Sequence, residues 1–283
     1  MCRFVAYVGR PLLISQLVTE PVHSLIHQSY HALERPEPLN GDGFGVAWYC
    51  PGCQPEPALF REITPAWSNE NLRSIARVTT SDCILAHVRA ASPGTGVHYL
   101  NCHPFAIEHL TFMHNGSLAG FREWKRRLIN LLSDEAFAAI RGSTDSEHAF
   151  ALFWDLYRRC RGAGWERLCE GALATIAELE RLRFEAGVED SSFMNFVVCD
   201  GESIVASRYS SQGDDGASLH YVSGRELRCQ EGLYEHEPGD ETDFVLVASE
   251  ETTPGFCWQV VPDNHLLIAS RTGEARLMPI VLP

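Results

Sequence analysis

The sequence has little basic charge and a single lysine, Lys125, among its 283 residues. Lysine and arginine together number 23 against 37 aspartate and glutamate residues, which leaves a net charge of −14 at pH 7. Nucleic acids and anionic membranes are bound through positively charged patches. An acidic chain of this kind is therefore expected to bind neither of them.

Long hydrophobic runs are also missing. No stretch approaches the roughly 18 to 20 apolar residues of a membrane span, and the apolar start before Gly9 is too short for a signal-peptide core. The sequence therefore predicts a cytoplasmic protein. Ten cysteines are too few for a disulfide scaffold in a chain of this size. Cys83, Cys199 and Cys257 lie in apolar stretches and are predicted to be buried thiols.

Short apolar runs bounded by glycine, proline and asparagine predict strands near both ends of the chain, whereas the middle has helical periodicity. Expected strands are 4–8, 44–49, 83–88, 110–113, 194–199, 203–208, 219–222, 244–248 and 265–269. Expected helices are 121–132, 147–159 and 165–184. Because strands and helices do not alternate regularly, an α+β fold with mostly antiparallel sheets is favoured. We expect one domain over residues 2–283, with a helical insert around 121–190.

Cys2 is the sharpest chemical feature of the sequence. A small residue after Met1 permits removal of that methionine, which would leave a thiol and a free α-amine on one residue. An α-amine titrates at about pH 7.7–8.0, so it can accept a proton at cellular pH. This is how an N-terminal nucleophile is activated, although a cysteine can also stand at position 2 by chance.

Two loops carry further candidates, each with a plainer alternative. The glycine-rich run 40–45 resembles a phosphate-binding loop but lacks the following helix and lysine, and it is equally compatible with a hairpin turn. Arg89 leaves a predicted strand into a loop containing Ser92, where a guanidinium could hold a carboxylate with two hydrogen bonds. The alternative for Arg89 is a surface salt bridge.

Three more residues could act on a bound substrate. The Asn115 amide and the Gly116 N–H group could point two donors at one oxygen, as an oxyanion hole requires, or they could form an ordinary Asn-Gly turn. Asp145 could hold a substrate ammonium, or it could simply stabilise the first turn of a helix. Thr144 and Glu147 form a capping box there.

A metal site is not expected. His23, His27 and His31 are spaced to share one helix face, and Cys50 with Cys53 forms a CxxC motif. However, no second cysteine pair follows at a zinc-ribbon spacing. The proline-rich segment 50–57 is predicted to be an exposed loop.

Taken together and in this order, the motifs MCRFVAYVG, NGDGFG, HVRAASPG, NCHPF, HNG and STDSE resemble the class II glutamine amidotransferases, members of the N-terminal nucleophile hydrolase superfamily. The later VASE and WQVVP segments look like the closing strands of that family. Within the class, the chain is similar to the stand-alone γ-glutamyl branch. That branch includes the ergothioneine-pathway γ-glutamyl hydrolase and the glutathione-degrading subunit of the fungal Dug complex. ITPAW, NCHPF and GSTDSE with the long helical insert favour the latter.

The resemblance implies an αββα sandwich of two antiparallel sheets, with no cofactor and no metal. It implies these residue roles: Cys2 as nucleophile, Asn115 and Gly116 as oxyanion donors, Arg89 with Ser92 beside it for the substrate α-carboxylate, and Asp145 for the α-ammonium. Two departures stand beside the pocket. Ser92-Pro93 replaces a Thr-His pair of the sugar-phosphate-forming members, and 40–43 replaces their Arg-Gly-Tyr-Asp. The leaving-group preference of those enzymes therefore does not transfer to this chain.

The function that this implies is hydrolysis of a γ-glutamyl amide through a cysteine thioester, releasing glutamate, with glutathione as the first candidate substrate. A metallopeptidase-like partner subunit is a further implication of the Dug-type resemblance. Because the chain ends soon after the family's strands, no fused synthase domain is expected. Three alternatives remain: a glutaminase subunit supplying ammonia to a separate synthase, an amidase for bile-salt or acyl amides, and a non-catalytic regulatory domain. Arg89 and Asp145 argue against the acyl amidase, whose substrate has no α-amino acid end.

Overall fold

A computed structural model describes residues 2–34, 39–91, 95–213, 216–237 and 242–282. Ser92 lies outside these described residues. The strands are β1 (Arg3–Leu13), β2 (Phe44–Cys50), β3 (Gln54–Glu62), β4 (Thr80–Val88), β5 (Phe105–Ile107), β6 (Leu110–Ser117), β7 (Phe193–Cys199), β8 (Ser203–Arg208), β9 (His220–Gln230), β10 (Leu233–Glu237), β11 (Phe244–Ala248), β12 (Gln259–Val260), β13 (His265–Ser270) and β14 (Ala275–Pro279). The helices are α1 (Ser15–Val18), α2 (Leu25–Tyr30), α3 (Glu70–Ala76), α4 (Phe121–Leu131), α5 (Asp134–Ala139), α6 (Asp145–Tyr157) and α7 (Trp165–Glu185).

The strands form two antiparallel sheets. One sheet has the order β10-β9-β11-β1-β4-β2-β3, with β12 paired to β9, and the other has the order β14-β13-β8-β7-β6-β5. One apolar cluster lies between the sheets. A second lies between the first sheet and α1–α3, and a third between the second sheet and α4–α7. The layers are therefore α, β, β and α, which confirms the predicted fold class.

The central strand β1 shows why the sequence folds in this way. Phe4 and Val8 point into the cluster between the sheets, whereas Val5 and Tyr7 point to the helices on the other face. Since successive side chains of a strand point to opposite faces, an unbroken apolar run is buried on both sides. Each large side chain buried in this way contributes about 1.5–3 kcal/mol.

Several local predictions were wrong. Strand β1 continues past the predicted end at residue 8 to Leu13, with a register shift between Val8 and Leu12. Residues 54–57, predicted as loop, open strand β3, because β3 is the edge strand of its sheet and an edge strand tolerates proline. Just before it, Cys50 and Cys53 form a disulfide.

The three cysteines that were predicted to be buried because they lie in apolar stretches have different environments. Cys83 and Cys199 are buried, as predicted, but Cys257 is exposed, so that part of the prediction was wrong. In the described part of the chain, no helix has both the length and the apolar character needed to cross a bilayer.

The start of α6 shows half of the predicted capping box. The Thr144 side chain accepts a hydrogen bond from the Glu147 N–H group at 3.2 Å. The Glu147 carboxylate instead accepts hydrogen bonds from the N–H groups of Arg141 and Gly142, at 2.9 and 2.6 Å. The helix consequently begins at Asp145, two residues earlier than predicted.

Candidate active site

Cys2 lies directly ahead of β1, between the ends of the neighbouring strands β4 and β11. Its half-buried thiol donates to the Ala90 carbonyl oxygen at 3.6 Å. Burial raises the pKa of the thiol to about 11, against the opposing effects of the Ala90 hydrogen bond and the nearby Arg89 and Arg3 guanidinium groups. The thiol is therefore protonated at neutral pH, and its use as a nucleophile requires a base.

Arg89 follows β4 and is 3% exposed. Its guanidinium donates to neutral oxygens: the Gly96 carbonyl at 3.3 Å, the Thr95 hydroxyl at 3.4 Å and the Asp42 carbonyl at 3.5 Å. No carboxylate among the described residues forms an ion pair with it. The surface salt bridge considered for Arg89 is therefore wrong: the guanidinium is a buried cation with no anionic partner in the part of the chain that the structure describes.

The glycine-rich run holds this arginine segment in place. The Asp42 N–H group donates to the Arg89 carbonyl at 3.0 Å, and the Arg89 N–H group donates to the Gly43 carbonyl at 2.8 Å. The Asp42 carboxylate accepts from the Ala91 N–H group at 2.8 Å. At Gly43, where φ is +112°, a Cβ atom would lie 2.6 Å from the Cys102 sulfur. The run is thus neither a phosphate loop nor a hairpin turn. It is a loop whose hydrogen bonds hold residues 89–91 in place.

Asn115 and Gly116 lie inside strand β6, paired with Asn195 and Met194 of β7. The Asn-Gly turn is therefore a wrong alternative. The Asn115 side chain is completely buried, and neither its amide nitrogen nor its oxygen has a hydrogen-bond partner among the described residues. A buried polar group without a partner costs about 1–3 kcal/mol, so the Asn115 amide does not contribute a hydrogen bond to the stability of the described fold. At Gly116 a Cβ atom would lie 1.9 Å from the Phe193 carbonyl oxygen, so only glycine fits there.

Asp145 is the first residue of α6. Its carboxylate accepts hydrogen bonds from the Leu118 N–H group at 2.9 Å and the Ser146 N–H group at 2.8 Å. The role in the first helical turn is therefore real, yet no cation among the described residues forms an ion pair with this carboxylate. Asp145 also lines a cavity of about 440 Å³, together with Thr95 and Ser117.

Asp145 and Arg89 lie close enough to Cys2 for their charges to act on its thiol. Both charges act on the thiol, the Arg89 guanidinium lowering its pKa and the Asp145 carboxylate raising it. Thr95 lies between Arg89 and Asp145: the Thr95 hydroxyl accepts a hydrogen bond from Arg89, and Thr95 lines the same cavity as Asp145. The structure therefore gathers residues that are far apart in the sequence around one thiol.

Sequence reasoning missed a cluster of histidines behind this site. The rings of His87 and His103 lie 4.3 Å apart between centroids, and the His114 carbonyl is 3.3 Å from His87 Nε2. Burial lowers the pKa of His87 to about 3 and that of His103 well below its usual value. Both rings are therefore neutral at pH 7. The HVR and NCHPF motifs contain them, but their burial is visible only in the fold.

A second missed feature is a charged network around the Cys2 backbone. Arg3 Nη1 donates to the Cys2 carbonyl at 3.0 Å, and Arg3 Nε pairs with Glu250 Oε2 at 2.7 Å. Glu250 Oε1 lies 2.6 Å from His23 Nε2. In the sequence, Arg3 and Glu250 are visible only as charged residues at the ends of apolar strands. The pairing of β1 with β11 brings them together.

The predicted histidine helix face was wrong. Helix α2 contains His27 but neither His23 nor His31. The His27 ring nevertheless contacts the His23 ring at 5.1 Å and the His31 ring at 5.4 Å between centroids. Within the described ranges, no group of three or more histidine, cysteine or acidic side chains is arranged to hold a metal ion.

Comparison with known proteins agrees with this architecture. The family model described as "Glutamine amidotransferases class-II" matches residues 26–280. The chain is 41% identical over 290 residues to the Saccharomyces cerevisiae "Probable glutamine amidotransferase DUG3", covering 94% of this chain and 81% of that one. It is 25% identical over 268 residues to the Mycolicibacterium smegmatis "Gamma-glutamyl-hercynylcysteine sulfoxide hydrolase", covering 94% and 95% of the two chains.

Solved structures share the fold. A class II glutamine aminotransferase domain protein from Silicibacter pomeroyi superposes with a TM-score of 0.68 at 26% identity, covering 99% of each chain. The phosphoribosylpyrophosphate amidotransferase of Bacillus subtilis superposes with a TM-score of 0.62 at 15% identity, over 99% of this chain and 50% of that one. The fold is thus that of amidohydrolases with an N-terminal nucleophile. The chain belongs to the class II glutamine amidotransferase family, which confirms the resemblance read from its motifs.

Proposed function

We propose that this protein hydrolyses γ-glutamyl amides, with Cys2 as the nucleophile. The observation that carries the proposal is the pair of uncompensated charges beside Cys2. Arg89 is a buried cation without a carboxylate partner in the described chain, and Asp145 is a carboxylate without a cation. A buried charge is costly unless it is paired, which favours an anionic ligand at Arg89, while the half-buried Asp145 carboxylate favours a cationic one. The site is therefore complementary to a ligand with a carboxylate and an ammonium. A glutamyl α-amino acid end carries both groups.

The assignment of roles follows from that complementarity. Arg89 binds the substrate α-carboxylate, Asp145 binds the α-ammonium, and the γ-carbonyl then extends toward Cys2. Asn115 and Gly116 donate hydrogen bonds to the γ-carbonyl oxygen. The mycobacterial relative, whose name specifies a γ-glutamyl substrate, supports this choice of substrate class.

In the reaction, the α-amine of Cys2 takes the thiol proton, which requires prior removal of Met1. The thiolate attacks the γ-carbonyl carbon, a C–S bond forms, and the negative charge on oxygen is held by the two donors. The C–N bond then breaks as the protonated amine gives its proton to the leaving nitrogen. Water adds to the thioester, the C–S bond breaks, and glutamate and the free thiol are released.

The proposed leaving group is an amino acid or a peptide, and glutathione is the first candidate substrate. The resemblance of the motifs to the glutathione-degrading Dug-type subunit supports this choice and implies a metallopeptidase-like partner that would process the released peptide. The yeast relative that is 41% identical is itself named a probable glutamine amidotransferase DUG3. The eight free cysteines fit a reducing compartment, in line with a cytoplasmic location. The alternative, a glutaminase that supplies ammonia to a separate synthase, uses the same machinery and is favoured by the family name.

The test is a comparison of kcat/KM for glutathione, other γ-glutamyl conjugates and glutamine, measured with and without a co-encoded peptidase. We expect a γ-glutamyl peptide to exceed glutamine. A preference for glutamine of tenfold or more, which corresponds to about 1.4 kcal/mol of transition-state stabilisation, with ammonia passing to a bound synthase, would establish the alternative. If glutamine-like electrophiles do not label Cys2 of the purified protein, both the γ-glutamyl hydrolase and the glutaminase proposals are refuted.

Changing Asn115 to alanine is expected to lower kcat about 10²–10³-fold, the usual cost of one lost oxyanion donor. The free energy of unfolding should fall much less than for Asn195→Ala, because the Asn195 amide donates to the Ala217 carbonyl at 2.8 Å, whereas the Asn115 amide has no partner. Steady-state kinetics and urea unfolding of both variants measure the difference. Equal kcat values for Asn115→Ala and the parent would remove Asn115 from the oxyanion role.

Arg89→Ala and Asp145→Ala are each expected to raise KM and depress kcat/KM while the fold persists. Each loses a charge-assisted hydrogen bond to the substrate, worth about 1.5–3 kcal/mol, or roughly ten- to a hundredfold in kcat/KM. A matched test uses a substrate analogue without the α-amino group. Its turnover should be insensitive to Asp145→Ala, and an equal loss for analogue and substrate would contradict the ammonium assignment.

A further inference from the structure

The position of Cys2 at the end of the strand ladder raises a mechanical problem. The register of β1 with β4 begins at Arg3, so Cys2 precedes the paired strand. Chain ends fray unless they are tied down, whereas a reacting group must be held within about 0.5 Å of its productive position. A weak thiol contact to the Ala90 carbonyl at 3.6 Å is not enough for that.

The side chain of Arg3 supplies the missing restraint. Its Nη1 donates to the Cys2 carbonyl oxygen at 3.0 Å, and its Nε pairs with Glu250 Oε2 at 2.7 Å. The side chains of Arg3 and Glu250 are only 1% and 2% exposed. Because an arginine guanidinium is planar and rigid, fixing Nε fixes the direction of Nη1.

Glu250 is itself held from several directions. Its Oε1 accepts from the Leu33 N–H group at 2.6 Å and lies 2.6 Å from His23 Nε2. The preceding residue, Ser249, accepts from the Phe4 N–H group through its hydroxyl at 2.9 Å. The carboxylate is therefore anchored to β1 through Arg3 and to the segments on both sides of α2, while the neighbouring Ser249 ties the Glu250 backbone to β1.

We propose that Arg3, fixed by Glu250, is a positioning residue that orients the Cys2 carbonyl and thereby its amine and thiol. This inference rests on the proposed function, in which the amine and the thiol of Cys2 perform the chemistry. The network touches neither Arg89 nor Asp145. Loss of the restraint should consequently lower kcat and leave KM unchanged.

The test separates positioning from a purely structural role. Changing Glu250 alone would leave the Arg3 charge buried without a partner, so the informative variant is the double substitution R3M/E250Q. It removes both charges, and the glutamine oxygen still accepts from Leu33. Replacing a buried ion pair by hydrophobic residues of similar volume is often neutral for stability. Methionine is such a residue at position 3, and glutamine keeps the size of Glu250 without its charge, so the variant should fold.

For R3M/E250Q we expect kcat to fall about 100-fold, the scale of a misplacement of about 1 Å, with KM and the urea midpoint close to those of the parent. The limiting rate of Cys2 labelling at saturating glutamine-like chloroketone should fall in parallel. Arg3→Lys retains a charge that can pair with Glu250, but it has one donor nitrogen in place of the separate Nε and Nη1 of the planar guanidinium, and it should show the same loss of kcat with KM unchanged.

The matched control is R183M/E180Q. Arg183 pairs with Glu180 at 2.9 Å and also donates to a backbone carbonyl, that of Val188, at 2.7 Å, but it lies on α7, away from Cys2. This variant should keep the parental kcat. An unchanged kcat in R3M/E250Q and Arg3→Lys would overturn the positioning role, as would a rise in KM alone.

Failure of the proposed function has a different signature. If the parent hydrolyses no γ-glutamyl amide, Cys2 labelling by iodoacetamide still reports the geometry of the residue. A slower limiting rate of labelling in R3M/E250Q than in R183M/E180Q would then support positioning and refute the function. Equal rates would refute the positioning itself.

Discussion

Replacing Cys2 by serine is expected to lower kcat for γ-glutamyl hydrolysis by about 10³-fold or more, the scale seen when a nucleophile is removed. The burial that raises the pKa of the Cys2 thiol to about 11 would oppose ionisation of a hydroxyl even more strongly. The α-amine, which titrates at about pH 8, would also have to take the proton of a hydroxyl, which is far less acidic than a thiol. Activity assays combined with intact mass measurement provide the test, and the active parent should lack Met1.

The matched control for this prediction is Cys257→Ser. Cys257 is an exposed thiol beside His236 Nε2, at 3.1 Å, so it shares the reactive group but not the site. Cys257→Ser should keep full activity, and it should react with one equivalent less of a non-specific thiol alkylator than the parent. A parent that is fully active with Met1 still attached, or a Cys2→Ser variant with more than about a tenth of the parental kcat, would exclude the mechanism.

Changing Glu250 alone to glutamine is expected to reduce the free energy of unfolding by about 3–5 kcal/mol, because removing one partner of a buried ion pair leaves the other charge uncompensated. Here that charge is the Arg3 guanidinium, which is 1% exposed. Urea unfolding at pH 7 measures the loss. Glu274→Gln is the matched control, since its partner Arg276 lies at 2.5 Å and both side chains are more than half exposed. An exposed pair of this kind contributes about 0–1 kcal/mol.

The free energy of unfolding that Glu250→Gln loses should depend on pH in a defined direction. Burial favours a high pKa for Glu250, but the hydrogen bonds from His23, Leu33 and Arg3 outweigh it and lower the pKa to about 2, from 4.5. Stabilisation by the carboxylate is therefore complete above pH 4.5 and disappears as the pH falls toward 2. The difference between parent and Glu250→Gln should narrow over that interval. A difference that stays constant would mean that the carboxylate charge is not responsible.

Much of the fold was predictable because its signals are local. The apolar runs at 83–88, 194–199 and 244–248 lie within strands of the structure, since an apolar run of that length bounded by turn residues suits a buried strand. The prolines of 54–57 misled the prediction, because tolerance of proline depends on whether a strand lies at a sheet edge. Edge position is a property of the assembled sheet and is not encoded near the prolines themselves.

The candidate site divides in a similar way. Cys2, Arg89, Asn115, Gly116 and Asp145 could be named from motifs, because the chemistry of each is apparent from residue type and neighbours. Their roles remain predictions that the variants above test. Whether Arg89 was a surface ion pair or a buried lone cation could not be decided from the sequence, since burial depends on segments that are distant along the chain.

The sequence by itself determined the α+β class through its periodicity. Through the resemblance of its motifs it also indicated the layered sandwich, the family and the set of candidate residues, because periodicity and motifs are carried by neighbouring residues. Only the tertiary structure decided that Asn115 lies in a strand with its amide unpartnered. Only the tertiary structure joined Arg3 to Glu250, 247 positions away. The physical reason is that hydrogen bonding and burial act through space, and the pairing of β1 with β4 and β11 brings these segments together.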